Sequence, residues 1–263
     1  MGTLAAGRYF GDVALRCETP HAVVSRVVHR CACRLPRHDH ALAYFSMLLE
    51  GGYRESVAGL TLDYRPFQVG FHPAHVPHVD AVGPDGGHFL CVEVRPDALE
   101  ASGVAVDRGA ALLPGDESLA MLRLFRAFEQ GALTAMHVES LVVDLCGGRR
   151  DRAERGRPGW LRRMLRIVHE EHGEPLTVAG LARRVGVHPV HAAREFRRRF
   201  GQTLGEYVNK VRIRAACEHI GRNDATIAEA ALHAGFADHA HFCRVFRAEV
   251  GCTPSALRAA VRT

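Results

Sequence analysis

Between residues 181 and 251 the chain repeats itself. The stretch "LARRVGVHPVHAAREFRRRFG" (181–201) is matched by "AALHAGFADHAHFCRVFRAEVG" (230–251). Ahead of the turn the copies lie 49 residues apart, pairing Ala182 with Ala231 and Gly186 with Gly235. Beyond it they lie 50 apart, pairing Arg194 with Arg244, Phe196 with Phe246, Arg197 with Arg247 and Gly201 with Gly251. The second turn is therefore one residue longer. Each copy reads as a short helix, a glycine-containing turn and a second helix, which is helix-turn-helix grammar. Thr177 is an N-cap residue type, Gly186 a helix stop, and Pro189 suits a first helical turn. Between the copies, Leu204, Val208, Val211 and Ala215 fall on one face of a single long helix. Two such units suit the placing of two helices in successive major grooves, about 34 Å apart.

His239, His241 and Cys243 raise a rival reading, a metal site. Positions two apart on a helix are turned by about 200° around its axis, so His241 does not share a face with the other two. The same phase groups Ala240, His241 and Arg244 on a face opposed to Phe242 and Phe246, as a DNA-facing surface requires.

Charge supports this once it is split. Residues 1–150 carry a net −3 and residues 151–263 a net +8. The excess sits where the repeat sits, as expected of a surface that meets a polyanion. Lys210 is the only lysine among 34 basic residues, and arginine's planar fork suits phosphate and guanine. There is no apolar run of eighteen residues and no basic-then-apolar start, so neither a membrane span nor an export signal is expected. The eight cysteines contain no C-x-x-C pair and are expected as reduced thiols in a cytoplasmic protein.

The first part of the chain reads as strands. "HAVVSRVVHRCACR" alternates Arg26, Arg30 and Arg34 against Val23, Val27, Cys31 and Cys33, predicting a half-buried strand whose cysteines are core thiols. "ALAYFSMLLEGGYRE" predicts a strand followed by a turn at Gly51-Gly52, and "FQVGFHPAHVPHVDAV" and "HFLCVEVRP" continue the rhythm. The period then changes. Met121, Leu124, Phe125 and Phe128, and then Val138, Leu141, Val142 and Leu145, predict two amphipathic helices over 117–128 and 133–146. Their wide apolar faces suggest a homodimer contact. "GGRRDRAERGRPG" has no apolar periodicity and reads as a linker. The expected fold class is α+β, with four segments: a strand-rich sensor over 1–108, a helical dimerisation segment over 109–148, a linker over 149–159, and an all-α domain over 160–263.

The residues of 161–262 resemble the AraC/XylS family of bacterial transcription regulators. The resemblance rests on "LTVAGLARRVGVHPVHAAREFRRRFGQTLGEYV", "RIRAACEHI" and "TIAEAALHAGFADHAHFCRVFRAEVGCTPSALR". Departures are His188 at a usual Ser-type cap, Ala192 and Ala230 at larger apolar positions, and Leu257 for a usual Tyr; these thin the core. The resemblance implies a double helix-turn-helix with exposed reading positions Val190, Ala193, Arg194 and Arg197 in the first unit and Ala240, His241 and Arg244 in the second. Arg194 and Arg244 are expected to read guanine through bidentate donors, with Ala193 and Ala240 against thymine methyls. Arg183, Arg184, Arg197, Arg198, Arg199, Arg212 and Arg247 are expected on phosphates. The implied partners are double-stranded DNA, RNA polymerase, a small-molecule effector and a second copy of the chain, and no catalytic residue is singled out.

The first domain resembles the AraC-type cupin barrel. "RHDHALAYFSMLLEGG" has the shape of a first cupin motif through His38 and His40, and "HPAHVPH" that of a second through His78. In a metal-binding cupin an acidic residue follows the histidine pair by four or five, where this chain has Tyr44 and Phe45. Period two sends His38, His40, Tyr44 and Ser46 to one side, and with His78 these form the expected effector pocket. A barrel without metal is expected because that carboxylate is missing, although His38, His40 and His78 remain able to bind a divalent ion. The competing reading is a cupin metalloenzyme or metal sensor with an accessory helical domain.

Overall fold

The computed structural model describes residues 2–101, 109–113, 117–146, 157–222 and 225–262. It divides into one unit of residues 1–148, 221–223 and 255–263, and a second of residues 149–220 and 224–254. The expected linker over 149–159 lies outside the described residues except for 157–159.

The first unit is built on one sheet of β1 (Gly2–Leu4), β2 (Asp12–Glu18), β3 (Ala22–His29), β4 (Cys33–Arg34), β5 (His38–His40), β6 (Ala43–Val57), β7 (Leu60–Tyr64), β8 (Val69–His72), β9 (His78–Val94) and β10 (Ala111–Leu112). The seventeen-residue β9 is its spine, hydrogen-bonded antiparallel to β3 and to β6 along most of its length. A short α1 (Pro96–Ala101) follows it.

The strand boundaries differ from the sequence pattern for identifiable reasons. β6 does not turn at Gly51-Gly52. It continues to Val57, with register shifts between Leu48 and Glu50 and between Gly51 and Tyr53. Gly51 has φ +90°, and a Cβ there would lie 2.2 Å from the Gly86 carbonyl oxygen. The two long strands bend against each other at this point, and neither copes with a side chain there. The hairpin turn falls instead at Ala58-Gly59, both with positive φ, as a two-residue type I′ turn requires. β3, paired at its two edges with β2 and β9, is buried on both faces rather than half-buried, since its outward Arg26 is covered as well. Arg26, 4% exposed, pairs with Glu129 at 3.2 Å. β3 stops at His29, so Cys31 is exposed and Cys33 half-buried; neither is the core thiol expected of it.

Glu129 closes α2 (Glu117–Glu129), which is followed by α3 (Ala135–Cys146). The apolar positions singled out in sequence, Met121, Leu124, Phe125 and Phe128 on α2 and Val138, Leu141, Val142 and Leu145 on α3, are all buried. The two helices pack on each other. Faces whose width suggested a homodimer are thus already covered within one chain, and Met136 and Val143 are the large apolar residues α3 leaves exposed.

The second unit contains α4 (Gly159–Glu170), α5 (Val178–Arg184), α6 (Pro189–Phe200), the long α7 (Leu204–Arg222, whose last two residues belong to the first unit), α8 (Ile227–His233) and α9 (His239–Val250); α10 (Pro254–Arg262) ends the described chain. Local chemistry sets the helix ends. The Thr177 hydroxyl accepts from Gly180 N at 3.0 Å, Asp238 accepts from His241 N at 2.6 Å, and Thr226 with Glu229 forms a reciprocal capping box. His188, a departure from the family's residue type, still caps: its Nδ1 accepts from Val190 N at 3.3 Å. Gly201 and Gly251 close α6 and α9 in the left-handed conformation, each donating its N–H to the carbonyl of the matched Arg197 or Arg247. Phe196 and Phe246 are fully buried, as the repeat requires. Ala192 and Ala230 are also fully buried, so the smaller side chains stand in the core itself. Among the described residues, no helix is long and apolar enough to cross a membrane.

Two glycines separate backbone freedom from steric need. A methyl group placed on Gly59, with φ +80°, would meet nothing within 4 Å, whereas one on Gly51 would meet backbone. Gly59→Ala is expected to cost about 1–2 kcal/mol, the left-handed penalty alone. Gly51→Ala is expected to cost several times that or to prevent folding; urea midpoints of the two variants measure the difference.

Candidate nucleic-acid interface and the interior of the sheet

Helix α6 presents Val190, Ala193, Arg194, Arg197 and Arg198 to solvent while burying Ala192 and Phe196. Helix α9 presents Ala240, Arg244 and Arg247 while burying Phe242, Phe246 and Val250. This is the 3.6-residue phase at work: one stripe of each helix fills the core, and the opposite stripe carries the arginines. His241 is half-buried, its ring edge-on to Phe236 at 5.5 Å between centroids, so it offers less to a ligand than its neighbours. His239 and Cys243 meet one turn apart, sulfur to ring nitrogen 3.7 Å, with His241 directed elsewhere. Among the described residues, no group of three metal donors forms there.

The arginines fall into three kinds. The guanidinium groups of Arg183, Arg194, Arg244 and Arg247 make no hydrogen bond or ion pair among the described residues. Arg184 forks onto Glu171 at 2.6 and 2.7 Å, and Arg198 and Arg199 share Glu195, with the shorter Arg198 contact at 2.6 Å. Those two guanidinium groups, Arg198 first, hold the Glu195 carboxyl down at about 2. The triple-arginine run of α6 is therefore less positive than its sequence suggests. Arg212 is the third kind. Its Nε donates to the His172 carbonyl at 2.8 Å and its Nη2 to the Glu174 carbonyl at 2.9 Å, with the guanidinium over the Phe236 ring at 5.9 Å. It ties α7 to the loop after α4 and to the turn of the second repeat. Two of its five donors are engaged by backbone carbonyls, so part of the Arg212 guanidinium has a structural role beside the phosphate contact expected of it.

The first unit holds a second concentration of chemistry. A cavity of about 40 Å³ on the inner face of the sheet is lined by His38, His40, Tyr44, Ser46, Tyr53 and Asp80 at its polar side and by Val27, Phe89 and Cys91 at its apolar side. Four of the five residues of the expected pocket, His38, His40, Tyr44 and Ser46, line it, and His78 packs against them, its ring centroid 4.3 Å from that of His38 and its Nε2 3.5 Å from the Tyr44 hydroxyl. The missing carboxylate after the histidine pair is made up from elsewhere. Glu55, Asp80 and Glu93 are buried beside the histidines. Asp80 was legible, since period two from His78 puts it on the same side. Glu55 was not, because the register shifts around Gly51 exchange which alternate residues of β6 face inward.

The interior is electrostatically organised. His72 Nδ1 lies 2.9 Å from Glu55, and the Tyr64 hydroxyl reaches both His72 Nε2 at 3.0 Å and Glu55 at 3.3 Å. Burial raises the Glu55 carboxyl, but His72, His78 and Tyr64 together outweigh it and the net shift is downward. Burial, then the charge of Glu55, pushes Asp80 up to about 6. Burial, then the neighbouring His72, pushes His78 down to about 4.

A family model described as a helix-turn-helix domain matches residues 181–260. Over 88 residues the chain is 33% identical to the probable transcription factor PqrA of Proteus vulgaris, covering 34% of this chain and 72% of PqrA. Over 95 residues it is 30% identical to the regulatory protein SoxS of Salmonella typhimurium, covering 36% of this chain and 89% of SoxS. The chain belongs to the AraC/XylS family of DNA-binding transcriptional regulators. The match to the bifunctional transcriptional activator/DNA repair enzyme AdaA of Bacillus subtilis, 29% identical, spans 38% of this chain and about half, 47%, of AdaA. Among solved structures, fatty-acid-bound ToxT of Vibrio cholerae aligns over 93% of this chain and 97% of its own at 10% identity, with a TM-score of 0.41.

Two substitutions test the sorting of this AraC-type regulator's arginines. Glu195→Gln releases Arg198 and Arg199, so affinity for any duplex is expected to rise and the salt dependence to steepen by about 1–2 units. Arg212→Ala is expected to lower stability by about 2 kcal/mol through lost charge-assisted hydrogen bonds. Anisotropy titrations at several salt concentrations, with urea melts, read both.

Proposed function

We propose that this protein binds double-stranded DNA sequence-specifically through α6 and α9, and that a small ligand inside its N-terminal sheet, a cupin-like barrel, regulates transcription from that site. One observation carries the DNA reading: at matched positions of the two repeats, Arg194 and Arg244 stand exposed with their guanidinium groups unspent among the described residues. A planar guanidinium held on a rigid helix offers guanine two donors at once. Ala193 and Ala240 beside them leave room for a thymine methyl, and Val190 extends the first face. Arg183, Arg197 and Arg247 serve phosphates directly. Arg184, Arg198 and Arg199 do so only after leaving their carboxylates. The function is regulatory rather than catalytic and is exercised in the cytoplasm. Contact with RNA polymerase rests on family membership. A homodimer rests on the exposed Met136 and Val143, seven residues apart on one face of α3.

The test is binding of the full chain to its operator across salt. With about 3 to 6 phosphates neutralised, log K against log salt is expected to slope at about −3 to −5. A slope near zero sinks the DNA reading. Arg194→Ala and Arg244→Ala are each expected to lose about 1–3 kcal/mol and to relax preference at one base pair, whereas Arg183→Ala weakens all duplexes alike. Identical sequence-independent losses for all three would remove base reading from Arg194 and Arg244.

A further inference from the structure

We infer that His29, Cys31 and Cys33 form a binding site for a thiophilic metal ion of the zinc type at the bend between β3 and β4. The site lies outside both histidine motifs and is independent of DNA binding. The sequence His-x-Cys-x-Cys spaces three donors two residues apart. The strand register then folds that spacing up. His29 ends β3 and pairs with Gly87 of β9, and Cys33 opens β4 and pairs with Val82 of the same strand. Residues 30–32 step out of the ladder between them. In an unbroken strand, positions four apart stand about 13 Å from each other. Here His29 Nδ1 and Cys33 Sγ approach to 3.6 Å.

The sheet holds both of these donors. Gly86 passes so near the start of the bend that a Cβ on it would lie 2.2 Å from the His29 carbonyl oxygen. The His29 ring meets Phe89 edge-on at 6.0 Å between centroids, and its Nε2 lies against Gly11, where a Cβ would fall 2.8 Å away. The ring is thus packed on its Nε2 side, and Nδ1 is the nitrogen turned toward the thiol. Burial lowers the pKa of this imidazole, which keeps it neutral, the form that coordinates a metal. Cys33 is fixed in turn by its place in the β4–β9 ladder.

The separation fits one ion shared by both donors. Zinc–sulfur bonds of about 2.3 Å and zinc–nitrogen bonds of about 2.0–2.1 Å, set tetrahedrally, place sulfur and nitrogen about 3.5–3.6 Å apart. Cys31 supplies the second thiolate. It is exposed at the tip of the bend. Among the described residues the three donors do not already stand as a closed set; turning Cys31 from one staggered rotamer to another closes it, and the fourth position is left to water. Two thiolates and an imidazole select zinc over magnesium and calcium, which prefer oxygen cages. Burial, then the neighbouring Cys31 thiol, pushes the Cys33 thiol up. That disfavours a redox role, since the thiolate is the reactive form. The other thiol–imidazole pair, His239 with Cys243 at 3.7 Å, lies on a helix that carries no second cysteine.

The experiment is titration of the chelator-stripped, reduced full chain with cobalt(II), followed in the near ultraviolet. A cobalt–thiolate bond gives a sulfur-to-metal charge-transfer band there, and a site of nitrogen and oxygen donors gives none. The band is expected to saturate at one equivalent and to be bleached by one equivalent of zinc(II). Cys31→Ser and Cys33→Ser are each expected to weaken binding by more than about 100-fold, beyond what changes outside the ligand shell cost. His29→Gln is expected to weaken it while leaving a band, and Cys243→Ser to leave the titration unchanged. Circular dichroism identifies any variant that fails to fold; Cys31→Ser, at an exposed position, then decides. Absence of the band, its persistence at full intensity in Cys31→Ser or Cys33→Ser, or its loss with Cys243→Ser overturns the assignment. Affinity indifferent to His29→Gln overturns this ligand set.

Discussion

The approach of Gly51 to the Gly86 carbonyl is the constraint on which the first unit depends. β6 and β9 are longer than a twisted sheet carries straight, and they bend where they cross at a pair of glycine-rich segments. The bend changes which alternate residues face inward. On one side of it Tyr44, Ser46 and Leu48 share the interior face of β6; on the other, Tyr53 and Glu55 do. Cavity chemistry follows from that exchange, because it brings Glu55 opposite Asp80 and leaves the apolar wall of Val27, Leu48 and Phe89 at the other end.

Burial of so many ionisable groups is expensive unless each finds a partner. The interior meets this unevenly. Glu55 is answered by His72 and Tyr64, and Glu93 accepts from the Gly7 amide at 2.5 Å. Even so, Glu55, His72, Glu93, Asp80 and His40 each keep one buried side-chain atom with no hydrogen-bond partner among the described residues.

The second unit follows a different logic. Its helices are short, so their termini matter as much as their faces. Caps at Thr177, His188, Thr226 and Asp238 satisfy the first amides, and left-handed glycines at 201 and 251 close the helices that carry the exposed arginines. Phe196 and Phe246 then hold those helices in one rotational setting. Rotation about the axis is what decides whether Arg194 and Arg244 face solvent, so base reading and core packing are two sides of one phase.

The sequence by itself determined the repeat, its extra turn residue, the two helices of the first unit, and the face each helix buries. These are set by caps, turn glycines and apolar spacing within one or two turns of chain, and such interactions are local enough to be read in line. It also brought out His38, His40, Tyr44, Ser46 and His78 as one group. Only the tertiary structure decided what the charged groups meet. Arg212 donates to carbonyls forty and thirty-eight residues away, Glu195 takes two arginines from the solvent face, and the apolar faces of α2 and α3 close on each other within one chain. Glu55 reaches the histidines because a bulge reversed the alternation of its strand. Period and propensity do not register a one-residue slip between strands, yet such a slip carries every later side chain to the opposite face.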